Sequence, residues 1–362
     1  MMAGGERAGI AEIAVKVATE LLPWLKWKYH SPPDQNFECV QAPKHKQSKN
    51  ETDEVSEQNH NHPTDVVYSY IDPYTEKTIA INTDLKSYAT GTIKQSNIRK
   101  SLKSLAQTID CARYSEEWKA RYSLSEEDIE IRGMLFVYNH DGGWDNNFYD
   151  VFYGKKNPKR SKASTENEND INVLNIDLQA NQQIHILEPK TIKYIKTVFD
   201  DLEKLDSRSE FNRRNYQFFY PDLNLHKTNS PPIERPATLE LISAPFMIIE
   251  YQGEVLYNGN QEEIKKVAPG YKVHYKEKIE SWKEIFFLLD SLSNYQMLNS
   301  SKKISVRAIA QDQGNMAQNH FRTAVQEYIK KWGKNEVLSG ISFDLIPTIS
   351  DTFSTQEIEC EW

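Results

Sequence analysis

The stretch "PTDVVYSYIDPYTEKTIAINTDLKSYA", residues 63–89, decides the reading of this chain. It holds two runs of alternating, β-branched and aromatic residues separated by "DPYTE" (72–76), whose Asp and Pro are turn formers, and so predicts a β-hairpin. Side chains on a strand alternate faces with a period of two, which puts Asp84 and Lys86 on one face with Ala80 and Asn82. Ile79, Ile81, Thr83 and Leu85 fall on the other. Asp65 opens the first arm, so antiparallel pairing brings it close to Asp84. Two carboxylates held together repel, and they are stable as a pair only with a shared proton or a cation. An oxygen-rich site of this kind suits Mg2+, with Mn2+ as an alternative, and leaves room for a phosphate. A lysine beside such a site can stabilise charge on phosphorus.

Outward from the hairpin, residues 6–22 carry Ile10, Ile13, Ala14, Val17 and Leu21 at helical spacing, closed by Pro23. A short strand is expected at 37–41, followed by a polar loop to residue 62. An amphipathic helix is expected from about Thr92 to Arg113, with Ile98, Leu102, Leu105, Ala106 and Ile109 as its apolar stripe. "GMLFVY" (133–138) is an apolar run of the buried-strand type. From Lys86 to Arg121 there are eight Lys/Arg against three Asp/Glu, in a protein whose net charge is -8. This local positive field, with Arg99, Lys100 and Lys103 on one helix face and Lys94 and Gln95 at its start, suits contact with DNA phosphates.

The order helix, strand, Pro-x-Asp strand, Asp-x-Lys strand, basic helix resembles the PD-(D/E)XK, or restriction-endonuclease-like, nuclease superfamily over roughly residues 6–140. That resemblance implies an α/β domain with a central mixed sheet flanked by helices, and a metal-dependent deoxyribonuclease. It implies Asp65 and Asp84 as Mg2+ ligands, the backbone carbonyl of Leu85 as a further ligand, and Lys86 as the residue that activates or orients water. A glutamate on the first helix often joins the site in that family; Glu12 is the best match and Glu20 the reserve. "PTD" carries one more residue than the family's Pro-Asp. The whole chain looks like nuclease subunits of bacterial two-gene anti-phage defence systems, which implies DNA as substrate, a second protein subunit and oligomerisation. Two other uses of the fold stay open: a catalytically weak DNA-binding or scaffolding subunit, and a housekeeping repair nuclease.

The remaining features set the frame. The low-complexity segment 155–170 is expected to link a nuclease-like domain (1–154) to an α/β recognition or oligomerisation domain (171–362), in which strand-like and helix-like segments alternate as in a largely parallel sheet. About -6 of the net charge lies after residue 160, which favours protein over DNA as the partner of that second part. The three cysteines (Cys39, Cys111, Cys360) match no zinc spacing, and "NHNHP" (59–63) sits in the polar loop without a second ligand cluster, so neither is expected to bind metal. Free thiols and the charges that break the first apolar stretch point to a cytoplasmic protein without membrane contact. A chain without a phosphate-binding Gly-x4-Gly-Lys-Ser/Thr loop is not expected to be a nucleotide-driven motor.

Overall fold

The computed structural model describes residues 4–45, 60–125, 128–153, 176–222, 234–260, 263–299, 302–310, 314–333 and 336–349. Two compact units divide the chain: one of residues 1–71 and 77–192, the other of 72–76 and 193–349.

In the first unit the helical spacing near the N-terminus becomes α1 (Gly4–Leu21), which buries Ile13, Ala14, Val17, Ala18 and Leu21. β1 (Lys28–His30), β2 (Gln35–Glu38) and the short α2 (Ala42–His45) follow. β3 (Asn61–Thr64) pairs antiparallel with β2 in a small separate sheet. His62 therefore lies on a strand and is buried, where the sequence predicted a polar loop; residues 46–59 of that loop lie outside the described residues. The hairpin is β4 (Val66–Ile71) and β5 (Thr78–Tyr88), in the register Val66 with Thr83. α3 (Gln95–Ala112) crosses over to β6 (Ile129–Asn139), which runs parallel to β5 along its whole length. The short helices α4 (Glu116–Arg121) and α5 (Tyr149–Tyr153) flank this strand in sequence, and β7 (Ile184–Leu187) adds parallel to β6. The sheet order β1-β4-β5-β6-β7 is mixed, as the family resemblance implied.

The α3 stripe packs as its period dictated: Ile98, Leu102, Leu105, Ala106 and Ile109 are all buried. Burying five such side chains contributes on the order of 10 kcal/mol before chain entropy is charged against it. Gly133 on β6 lets the helix approach, because a Cβ there would stand 3.0 Å from Leu105 and 3.1 Å from Ile184. Ala80 joins this cluster, while Ile79 and Ile81 are buried on the opposite face of β5, where α1 packs.

Residues 155–170 lie outside the described residues, yet the expected boundary there needs correction. β7 comes after that segment and pairs with β6, so the first unit runs on to residue 192 and the polar segment falls within the β6–β7 connection. Composition marks a segment that cannot build a core; it does not say whether the next strand returns to the same sheet.

The second unit is built on α6 (Pro189–Ser207) and a five-stranded sheet. Its elements are β8 (Tyr216–Phe218), α7 (Leu239–Ser243), β9 (Phe246–Tyr251), β10 (Glu254–Tyr257), β11 (Glu263–Val267), β12 (Gly270–Tyr275), α8 (Trp282–Asn294), β13 (Lys303–Ala310), α9 (Gly314–Trp332), α10 (Glu336–Gly340) and β14 (Ser342–Pro347). The sheet order is β14-β13-β12-β9-β8. β12–β13 and β13–β14 are parallel, but β9 pairs antiparallel with both β12 and β8, so the sheet is mixed rather than largely parallel. "GYKVHY" (270–275), which lies against both neighbours as the central β12, is half polar in sequence and shows no apolar run, although all six residues are buried. No helix among the described residues is long and apolar enough to cross a membrane.

Candidate active site

The hairpin register carries the site. Val66 pairs with Thr83, and the next position places Asp65 against Asp84. Asp65 Oδ2 accepts the Leu85 N–H at 2.6 Å, which fixes its carboxylate at the neighbouring strand. The Lys86 ammonium is ion-paired to Asp84 Oδ1, two residues away on the same face. Asp84 is 17% and Lys86 34% exposed at the side chain, so the pair is open to a ligand while still held by the sheet.

Charge at the site is frustrated. Burial first, and Asp84 second, push the Asp65 carboxyl up to about 6, against the opposing pull of Lys86 and the Leu85 N–H. Burial works against the Lys86 ammonium, but Asp84 and Asp65 outweigh it and raise its pKa, so this lysine keeps its proton. It therefore supplies positive charge and hydrogen-bond donors rather than a free amine. A pair of hard oxygen ligands of which one is raised by the other is a donor set suited to a small divalent cation.

Other residues hold the pair in place. Asn82, buried two positions before Asp84, accepts hydrogen bonds from Thr64 Oγ1 (3.0 Å) and Trp118 Nε1 (3.3 Å). This ties β5 to the end of β3 and to α4. Asp34, at a positive φ of 53° in the β1–β2 turn, donates its N–H to the Asp65 carbonyl at 2.8 Å. Its carboxyl is raised by burial and then by Asp65, which makes it a third acid beside the site. Sequence reasoning passed over Asp34, since nothing local in "SPPDQN" links it to a residue 31 positions on.

The remaining candidates are spread out. Glu12 and Glu20 are both exposed on α1, and among the described residues neither joins the hydrogen bonds and ion pairs of Asp65, Asp84 and Lys86. Lys94 caps the start of α3 and is exposed, as is Lys100. Arg99 is half-buried. Gln95 donates from Nε2 to the Phe152 carbonyl at 3.0 Å, and Lys103 pairs with Asp177 at 3.0 Å. Both sides of that last pair are about half exposed, so it is worth under about 1 kcal/mol and gives way readily to a phosphate.

A family model, described as the GAPS4 protein PD-(D/E)XK nuclease domain, matches residues 1–191. The chain belongs to that family. The match ends one residue from the boundary of the first compact unit, so the α1-β1-β4-β5-α3-β6 core and the Asp65–Asp84–Lys86 set both lie within it. It associates the chain with an anti-phage defence system and identifies the first unit as a nuclease domain, for which the substrate class is nucleic acid. Comparisons with curated proteins and with solved structures give no match.

Proposed function

We propose that the chain is a Mg2+-dependent DNA endonuclease that hydrolyses phosphodiester bonds in anti-phage defence, with Asp65, Asp84 and Lys86 as its catalytic residues. The observation that carries this reading is the facing of the Asp65 and Asp84 carboxylates with the Lys86 ammonium paired to the second. Asp65 and Asp84 would hold the cation, Mg2+ or Mn2+, with the Leu85 carbonyl as a further ligand and Glu12 or Glu20 as the helix carboxylate. A divalent cation there supplies Lewis acidity, lowering the pKa of water and drawing charge from a phosphate oxygen. The Leu85 N–H keeps Asp65 aimed at its partner. Lys86, held protonated, orients the attacking water and meets the negative charge that builds on the phosphoryl oxygens. Lys94, Gln95, Arg99, Lys100 and Lys103 would engage the DNA backbone. A second protein subunit, oligomerisation and a cytoplasmic setting complete the proposal. The test is cleavage of plasmid and linear DNA by the purified chain with and without Mg2+, repeated with a partner subunit if the chain alone is silent; no metal-dependent cutting in either arrangement would refute it.

The raised carboxyl fixes a pH dependence. A carboxyl raised in the folded state contributes stability below its ordinary value near 3.8, and that contribution is lost as pH rises through about 6. A cation replaces the proton above that pH. Mg2+ is therefore expected to raise the melting temperature clearly at about pH 7.5 and to lose this effect as pH falls through about 6. Equal Mg2+ shifts at about pH 5 and about pH 7.5 would count against Asp65 as a ligand.

Replacing both Lys94 and Lys100, which are exposed, by Ala should weaken DNA binding about equally for all sequences. The slope of log K against log salt should fall by about 2. An unchanged slope would place the DNA elsewhere.

A further inference from the structure

Away from the carboxylates, the fold gathers four buried side chains that the sequence scatters: Cys39 just after β2, His45 at the end of α2, His62 on β3 and Cys111 in the last turn of α3. One ligand atom from each lies within 4.8 Å of every other. The two Sγ atoms are 3.6 Å apart. His45 Nδ1 stands 3.5 Å from Cys39 Sγ, 3.4 Å from Cys111 Sγ and 3.4 Å from His62 Nε2. Four of the six separations are thus 3.4–3.6 Å and the two from His62 to the sulfurs lie within 4.8 Å. A regular tetrahedron with edges of about 3.5 Å has its centre about 2.1 Å from each corner, close to the usual zinc–nitrogen distances of about 2.0–2.1 Å and zinc–sulfur distance of about 2.3 Å. From these atoms we infer that Cys39, His45, His62 and Cys111 form a structural zinc site of the Cys2His2 type.

The surroundings are built for ligation. His45 Nε2 faces Asp110 Oδ2 at 3.1 Å, so the ring proton sits on Nε2 and the Nδ1 lone pair points into the cluster. Asp110 is held in turn by Lys44 Nζ at 2.6 Å and Gln182 Nε2 at 3.2 Å. A carboxylate behind a ligating histidine, itself fixed by further hydrogen bonds, is the arrangement that sets tautomer and basicity in zinc sites. The backbone N–H groups of Val40 and Gln41 stand against Cys111 Sγ, donors of the kind that surround a metal-bound sulfur, although burial and the neighbouring Cys39 raise this thiol while the cluster holds no cation. Two soft sulfurs and two imidazoles in a closed tetrahedral set select zinc over Mg2+, which takes hard oxygens in an octahedron. The site excludes water as a fourth ligand and so is structural rather than catalytic. Its place in the chain sets what it would hold together. His62 is three residues before Asp65, and the metal would tie the strand leading into that carboxylate to the end of α3.

The experiment uses the full chain, expressed with zinc in the medium and purified without chelator. Elemental analysis is expected to give about one zinc per chain, and cobalt substitution to give the intense visible bands of a tetrahedral ion together with thiolate-to-cobalt charge transfer. Asp84→Ala, which removes the oxygen site, should keep the zinc; Cys111→Ser should lose it. In case Cys111→Ser does not fold, Asp110→Asn provides a milder variant, expected to bind zinc about 10–100-fold more weakly in chelator competition. Overturning results are a chain that holds no zinc and takes up neither zinc nor cobalt, an octahedral cobalt spectrum, a Cys39–Cys111 disulfide in anaerobically prepared protein, or zinc that follows Asp84 instead of Cys111. None of these readings depends on DNA cleavage.

Discussion

Asp84→Ala is expected to lower the rate of DNA cleavage by roughly a thousandfold or more, and Lys86→Ala by about 10^2–10^3-fold. In barrier terms the first is about 4 kcal/mol. Asp84 couples the other two most strongly, since it raises Asp65 and forms the ion pair with Lys86. Its removal takes away the proposed metal ligand and the partner that keeps the lysine in place. Stability should move the other way. Without Asp84 the buried Asp65 loses its repulsive neighbour, so the metal-free Asp84→Asn variant should melt at or above the wild-type temperature. A strained site that the protein tolerates for chemistry has this signature: activity falls while stability holds or rises. If Lys86→Ala cleaved at the wild-type rate, the role assigned to the lysine would be wrong. If Asp84→Asn melted much lower, the pair would be structural.

The parts of this site that were legible in the sequence are those fixed by local rules. Period two decides which side of β5 Asp84 and Lys86 take, and the turn after Ile71 decides the pairing, so Asp65 and Asp84 meet with no long-range information. The α3 stripe was legible for the same reason, because 3.6-residue spacing and burial coincide along one element. The rest depends on contacts between distant segments. Cys39 and Cys111 are 72 residues apart and His45 and His62 are 17 apart, so no spacing rule for a compact zinc motif finds them. Asn82 reads as one more polar residue on a strand until Thr64 and Trp118 are seen to bond it. β7 shows the same limit at the scale of elements, since nothing in "QIHIL" says which sheet it joins.

The second unit offers a different kind of test. Asp201 on α6 lies among His274 on β12 and Arg307 on β13, at 3.0 Å from His274 Nε2 and 2.5 and 2.6 Å from Arg307 Nε and Nη2. Arg307 also donates to Asp344 on β14 at 2.9 Å, and Lys272 nearby is brought down to about 8 by burial and by Arg307. An acid beside a histidine invites a catalytic reading, but His274 is fully buried and Asp201 is only 4% exposed, so no substrate reaches either. The set instead joins α6 to three strands of the sheet. Removing one member of such a buried set leaves the others without compensation, and Asp201→Ala is expected to cost about 3–5 kcal/mol of stability. The same carboxyl predicts an acid limb. Burial alone would raise it, but the bonds from His274 and Arg307 bring it down to about 2, so its contribution is present above about pH 4 and lost as pH falls through about 2. Urea unfolding of Asp201→Ala and wild type at neutral pH reads the first effect as a drop in midpoint at unchanged slope. The gap between the two proteins should then narrow in strong acid, where the wild-type carboxyl takes up its proton. A midpoint that does not move would mean that Arg307 finds Asp344 sufficient and that the unit rests on its apolar core alone.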